Sequence, residues 1–213
     1  MTTRLAAEAT RIAAGDDRVR YGGFAMTLHW LTAVLVVLLF VLAETWNFAA
    51  RPTRQEMIVA HMSFGILLTL VVVVRITWHL TPGHRVRDAV TGLIERASQA
   101  VHYLLYGLLV AQVVLGFARR WSSGEALSFF GLLIPSPFAP LSKSAQGLVH
   151  DAHNWIGWTI IILAAGHAGA ALFHHFVLRD DVLWRMMPGL HARRAEAGAP
   201  DARVVSEVAG SRD

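Results

Sequence analysis

The 213-residue chain is 54% hydrophobic and only 16% charged, a balance that argues against a water-soluble globular fold and for one solvated by lipid. Its formal net charge of +4 invites a nucleic-acid reading, but the basic residues flank apolar runs, where membrane topology accounts for them. No cysteine occurs, so disulfides, iron-sulfur clusters, thiolate-ligated haem and covalently attached haem are all excluded.

In chain order, residues 1–22 read as a polar N-terminal tail. Apolar runs then cover 26–46, 57–80, 99–118 and 153–177, each near the ~20 residues that a helix needs to span hydrocarbon. These predict an all-α integral membrane protein, a four-helix bundle over 23–189, followed by a mobile C-terminal tail over 190–213. The first run is longer than a secretory h-region and lacks a cleavage pattern, so it reads as a retained span. Between the third and fourth spans, residues 119–152 hold an apolar stretch, Leu127 to Ile134, too short to cross, then Pro135, Pro137 and Pro140. A short interfacial helix on the outer face is expected there. Trp30, Trp46, Trp78, Trp121, Trp155 and Trp184 fall at interfacial depths, as an aromatic belt requires.

Orientation follows from the basic residues. Thirteen lie in the N-terminal segment, the connection after the second span, and the tail; Arg51, Arg54, Arg119, Arg120 and Lys143 lie on the other side. Both termini are therefore expected in the cytoplasm, with the protein in a bacterial inner membrane.

Polar side chains are costly within spans, so intramembrane histidines are functional candidates. His29 lies near the inner start of the first span and His61 near the outer start of the second. The fourth span carries His153 and His167. Fourteen residues leave a helix about 40° short of four full turns, so these two share a face about 21 Å apart along the axis. Matching depths predicts two pairs, His61 with His153 (outer) and His29 with His167 (inner). Paired imidazoles without cysteine, in an apolar enclosure, suit two six-coordinate b-type haems held non-covalently. Gly65 and Gly157 each follow a histidine by four residues and leave room for a flat macrocycle. Two other readings use the same residue types: interhelical hydrogen bonding, and a zinc or iron site built on His150 with His153 or on His174 with His175.

The sequence further resembles the bacterial cytochrome b561 family over about residues 21–190. The likeness rests on Leu28-His-Trp-Leu31, His61-Met-Ser-Phe-Gly65, His102 with Tyr106, Phe130-Gly131 before Pro135, His153-Asn-Trp-Ile-Gly-Trp158, His167 through His175, Arg179-Asp180 and Arg185-Met-Met-Pro188. It implies the same four iron ligands and the same pairing. The family's superoxide-oxidising branch implies an oxidoreductase that moves electrons from superoxide at the outer face to ubiquinone. In that setting His102 and His174 suit a quinone site, hydrogen bonding the carbonyls and supplying protons. The wider superfamily includes cytochrome b subunits of formate dehydrogenases and hydrogenases, and thus an alternative: an electron-relay subunit serving a redox protein partner. Arg75 is expected either to snorkel or to meet a haem propionate. His150 departs from the family pattern, and His175 is assigned either a propionate or solvent.

Overall fold

A computed structural model describes residues 23–80 and 93–179; the expected polar tails and the basic connection holding Arg85 and Arg87 lie outside these. Its four helices, α1 (Gly23–Thr45), α2 (Arg51–Leu80), α3 (Leu93–Trp121) and α4 (Lys143–Phe173), are all long and apolar enough to cross a membrane. Adjacent helices in sequence pack side by side. Four crossings return the chain to the side from which it set out.

The distribution of apolar side chains is that of a lipid-solvated bundle. Val34, Val37, Leu70, Val114 and Ile162 stand exposed along the helices, each at least 56% accessible, where a soluble protein would carry charge. Hydroxyls inside the spans bond back to their own helix. Thr32 Oγ1 donates to Leu28 O at 2.7 Å, Thr69 Oγ1 to Gly65 O at 2.9 Å and Thr159 Oγ1 to Trp155 O at 2.8 Å. Each is satisfied without a neighbouring helix.

The buried core is a single aliphatic layer at mid-depth: Leu35 and Leu39 from α1, Leu68 and Val72 from α2, Leu109 from α3 and Ile160 from α4. Leu68 and Ile160 each stand seven residues, two turns, beyond His61 and His153 respectively. An aliphatic layer therefore lies between the outer and inner histidine levels. Its side chains offer no hydrogen-bonding group to water or protons, and short-range electron transfer needs none.

Two differences from the sequence expectation concern residues 119–152. The stretch 127–134 is a β-hairpin, β1 (Leu127–Phe129) and β2 (Leu132–Ile134), not an interfacial helix. Its two-residue turn has φ of +48° at Phe130 and +96° at Gly131, the positive pair that matches strand twist in tight hairpins. The hairpin is fixed by a tertiary latch: Phe130 N–H donates to Ser63 Oγ at 2.8 Å, and Ser63 is wholly buried in α2. The Ser63 hydroxyl proton goes to Val59 O at 2.8 Å or Ser128 O at 3.3 Å. Ser63→Ala strands the Phe130 N–H, so unfolding in a denaturing detergent should show a loss of about 1–3 kcal/mol. Stability equal to that of the parent would remove the latch.

The second difference is the start of α4, at Lys143 rather than at the apolar run beginning with His153. Ser142 caps it, its Oγ accepting from Ala145 N–H at 3.3 Å, as expected of serine at this position. The first ten residues thus project as a polar helical extension beyond the apolar run. At the other end the helix widens into a π-helical turn, His174–Leu178, closed by Arg179 in the left-handed region at φ +55°.

Candidate functional site: two pairs of facing imidazoles

At the outer level, His61 on α2 faces His153 on α4, with ring centres 6.4 Å apart and planes at 78°. His61 Nδ1 lies 3.0 Å from Leu39 O. A carbonyl only accepts, so Nδ1 carries the proton and Nε2 keeps its lone pair for a metal. Trp46 stacks edge-on against the His61 ring at 5.3 Å. His153 meets the side-chain nitrogen of Gln112 at 3.5 Å, a contact at the limit of hydrogen bonding. His153 Nδ1 and Gln112 Oε1 are buried without hydrogen-bond partners among the described residues.

These side chains line a cavity of about 550 Å³, together with Gly65, Gly116 and Gly157, a volume in the range of cofactor sites. The glycines keep it open. A Cβ on Gly116 would stand 3.5 Å from His153 Cε1, and one on Gly157 3.2 Å from the Gln112 amide; one on Gly65 would meet nothing within 4 Å.

At the inner level, His29 on α1 faces His167 on α4 at the same 6.4 Å, with planes at 70°. Arg75 turns into the bundle instead of snorkelling. Its Nη2 donates to His29 Nδ1 at 3.1 Å, and its guanidinium lies 4.8 Å from the centre of the Tyr106 ring. Metal binding through His29 Nε2 would place the proton on Nδ1, which a guanidinium cannot accept. Metal occupancy and this hydrogen bond therefore exclude one another.

Equal separation of the two pairs has a simple chemical meaning. A metal–imidazole bond of about 2.0 Å, with roughly 1.1 Å from ring centre to donor nitrogen, would put two imidazoles on opposite sides of one metal about 6.2 Å apart. Rotation about that axis is free, so the steep interplanar angles are compatible. The separation of each pair is thus compatible with an iron held between its two imidazoles. Among the described residues no group of three or more His, Asp or Glu side chains converges as a multi-ligand metal site would require.

Similarity to known proteins agrees with this geometry. The family model for prokaryotic cytochrome b561 matches residues 20–189. The chain belongs to that family. Two relatives from Escherichia coli (strain K12), cytochrome b561 homologs 2 and 1, are each 30% identical to it, over 179 and 173 residues. Both alignments cover 79% of this chain, and 91% and 97% of the respective relatives. A probable superoxide oxidase, CybB, from Yersinia pestis is 29% identical over 171 residues, covering 79% of this chain and 96% of its own. This cytochrome b561 is accordingly a multi-pass membrane oxidoreductase that uses haem b for electron transfer.

Not all of the singled-out residues of the cytochrome come together. His102 packs against His167, with ring centres 4.9 Å apart, and its Nδ1 donates to Ser98 O at 2.7 Å. That distance is too short for a shared iron, which separates His102 from the facing pairs. His174 opens the π-helical turn two turns beyond His167 and is half-buried. His79 stacks on Tyr106 at 6.1 Å. His150 accepts from Arg119 Nε at 2.9 Å, and no cluster of three metal-binding side chains includes it among the described residues. Sequence reasoning missed Trp46, Gln112 and Leu39 as neighbours of the outer histidines. Each lies about ten or more residues along the chain from any histidine or glycine already marked, so no spacing singles them out.

Proposed function

We propose that this cytochrome b561 oxidises superoxide at its outer face and reduces ubiquinone at its inner face, with two haems b axially held by His61 and His153 (outer) and by His29 and His167 (inner). The observation that carries this reading is the pair of 6.4 Å imidazole separations on opposite sides of one aliphatic layer. Haem supplies one-electron carriage when bound; the chain's residues hold it, keep it dry and manage protons.

The overall reaction balances as follows. Two superoxide ions each lose one electron and leave as dioxygen, while the quinone gains two electrons and two protons from the inner side. Kinship with the probable superoxide oxidase supports the choice of donor. So does a cavity that reaches the outer end of the bundle, where the exposed Arg54 lines it and favours an anion. The cytoplasmic placement of both termini, and residence in the inner membrane, rest on the asymmetry of basic residues.

At the inner face, His102 and His174 form the proposed quinone site. Because His102 gives its Nδ1 proton to Ser98 O, its Nε2 is an acceptor in the neutral ring. It therefore takes up a proton from the inner side before passing one to the quinone oxygen. Replacing His102 with Ala should slow quinol formation by 10²–10⁴-fold while both haem spectra persist, measured by stopped-flow mixing of the pre-reduced protein with ubiquinone; an unchanged rate removes His102 from the site. The reading as a whole is tested by supplying enzymatically generated superoxide and ubiquinone to the purified protein in detergent. Haem reduction followed by quinol formation is expected. If superoxide leaves the haems oxidised and a soluble dehydrogenase or periplasmic carrier reduces them, the protein is a relay subunit instead.

A further inference from the structure

The rim of the outer cavity holds a guanidinium whose placement the electron-transfer reaction does not explain. Arg119 stands in the last turn of α3, half-buried, and its Nε donates to His150 Nδ1 at 2.9 Å. His150 lies three residues before His153 on α4, hence on nearly the same face and one turn outward. Both line the cavity that holds His61 and His153.

Neighbouring cations are engaged otherwise. Arg120 pairs with Glu125 and donates through Nε to Ala126 O at 3.1 Å, and Arg54 is exposed on the first turn of α2. The two terminal nitrogens of Arg119 have no hydrogen-bond partner among the described residues. A basic residue at a helix C-terminus often serves the helix dipole alone. Here the side chain crosses to α4 instead, and the Arg119 carbonyl is satisfied by Ser122 Oγ at 3.0 Å.

Haem b carries two propionates, and a carboxylate at the edge of a low-dielectric site is costly unless it is paired and hydrogen-bonded. With Nε spent on His150, the Nη1–Nη2 edge of Arg119 is left as a two-pronged donor, the geometry that matches a carboxylate end-on. We propose that Arg119, steered by its hydrogen bond to His150, clamps a propionate of the outer haem. This inference rests on the assignment of His61 and His153 as the outer ligands. It gives His150, the residue that departs from the family pattern, a positioning role. A fixed cation there also favours the haem form carrying the extra electron, so Arg119 raises the outer midpoint potential relative to the inner one.

The test uses the purified full-length cytochrome, with a spectroscopic redox titration and the rate of haem transfer to apomyoglobin as readouts. Arg119→Leu should shift the one-electron equilibrium between the two haems about tenfold toward the inner one, equivalent to about 59 mV, and should speed loss of the outer haem at least as much. Arg119→Lys keeps the charge and loses the fork, so its potential should stay near that of the parent while haem loss still accelerates. His150→Ala should accelerate loss to a smaller degree. Arg119→Leu with both readouts unchanged overturns the clamp. So does a variant in which only superoxide oxidation slows, since Arg119 then serves an external anion. His61→Ala and His153→Ala that retain two haems would defeat the outer-ligand assignment itself, a distinguishable failure. Should Arg119→Leu fail to fold, the lysine variant decides: haem loss at the parent rate overturns the clamp.

Discussion

Under the proposed ligand pairing, replacing His153 with Ala should lower the haem content from about two to about one per polypeptide, since a b-type haem is held only by its axial ligands and enclosure. The loss should be confined to the outer site. His153 and His167 share a helix but serve facing rings 6.4 Å away on different partners, α2 and α1 respectively. Among the described residues the aliphatic layer touches the outer pair by one hydrogen bond, His61 Nδ1 to the Leu39 carbonyl, and shares none with His29 or His167. Haem quantification with redox titration reads the outcome directly: one remaining b-type component with the parent's inner-site potential is expected. Superoxide-driven quinol formation should fall to background, because the route from the outer face is interrupted. Two titrating haems in this variant would show that His153 is not a ligand. The converse change, His167→Ala, should leave the outer component alone.

The second large effect is expected from Gly65→Leu. A side chain here meets no protein atom within 4 Å at its Cβ, and Gly65 lines the outer cavity. The leucine therefore occupies cofactor space instead of colliding with a helix. Helix propensity favours the change, since glycine in a helix interior is about 0.8–1.0 kcal/mol less favourable than alanine, with leucine close behind. The variant should assemble in the membrane with its inner haem in place and its outer haem absent. Gly157→Ala is milder, because the atom it approaches at 3.2 Å is the movable tip of Gln112. Measurement of haem content and circular dichroism on the same preparation separates cofactor exclusion from misfolding. Retention of the outer haem in Gly65→Leu, with normal helicity, would show that the macrocycle lies elsewhere.

Much of the architecture was legible in the chain because the governing rules are local. Four long apolar runs state four crossings, since hydrocarbon offers no partner for an open backbone. The fourteen-residue interval from His153 to His167 fixes one helix face, and the absence of cysteine restricts how haem is held. The expected interfacial helix over 127–134 failed for an equally physical reason. Leu127 to Ile134 is apolar almost throughout, and a short apolar run does not distinguish helix from strand by periodicity. A two-residue turn at Phe130-Gly131 and a bond from Phe130 to Ser63, 67 residues away, choose the hairpin. The start of α4 was misplaced because hydropathy finds where a helix becomes apolar; the Ser142 cap marks where it begins.

The sequence by itself determined the solvent of the fold, the number and order of its spans, the four candidate ligands and their depths. Those properties follow from side-chain transfer energies and a fixed 1.5 Å rise, both of which act residue by residue. Only the tertiary structure decided the matched 6.4 Å separations, the proton on His61 Nδ1, the inward turn of Arg75, and the junction of Arg119 with His150. Each of these depends on atoms from two helices meeting within about 3–6 Å. Helix crossing and rotation set such distances, and no single stretch of sequence contains them.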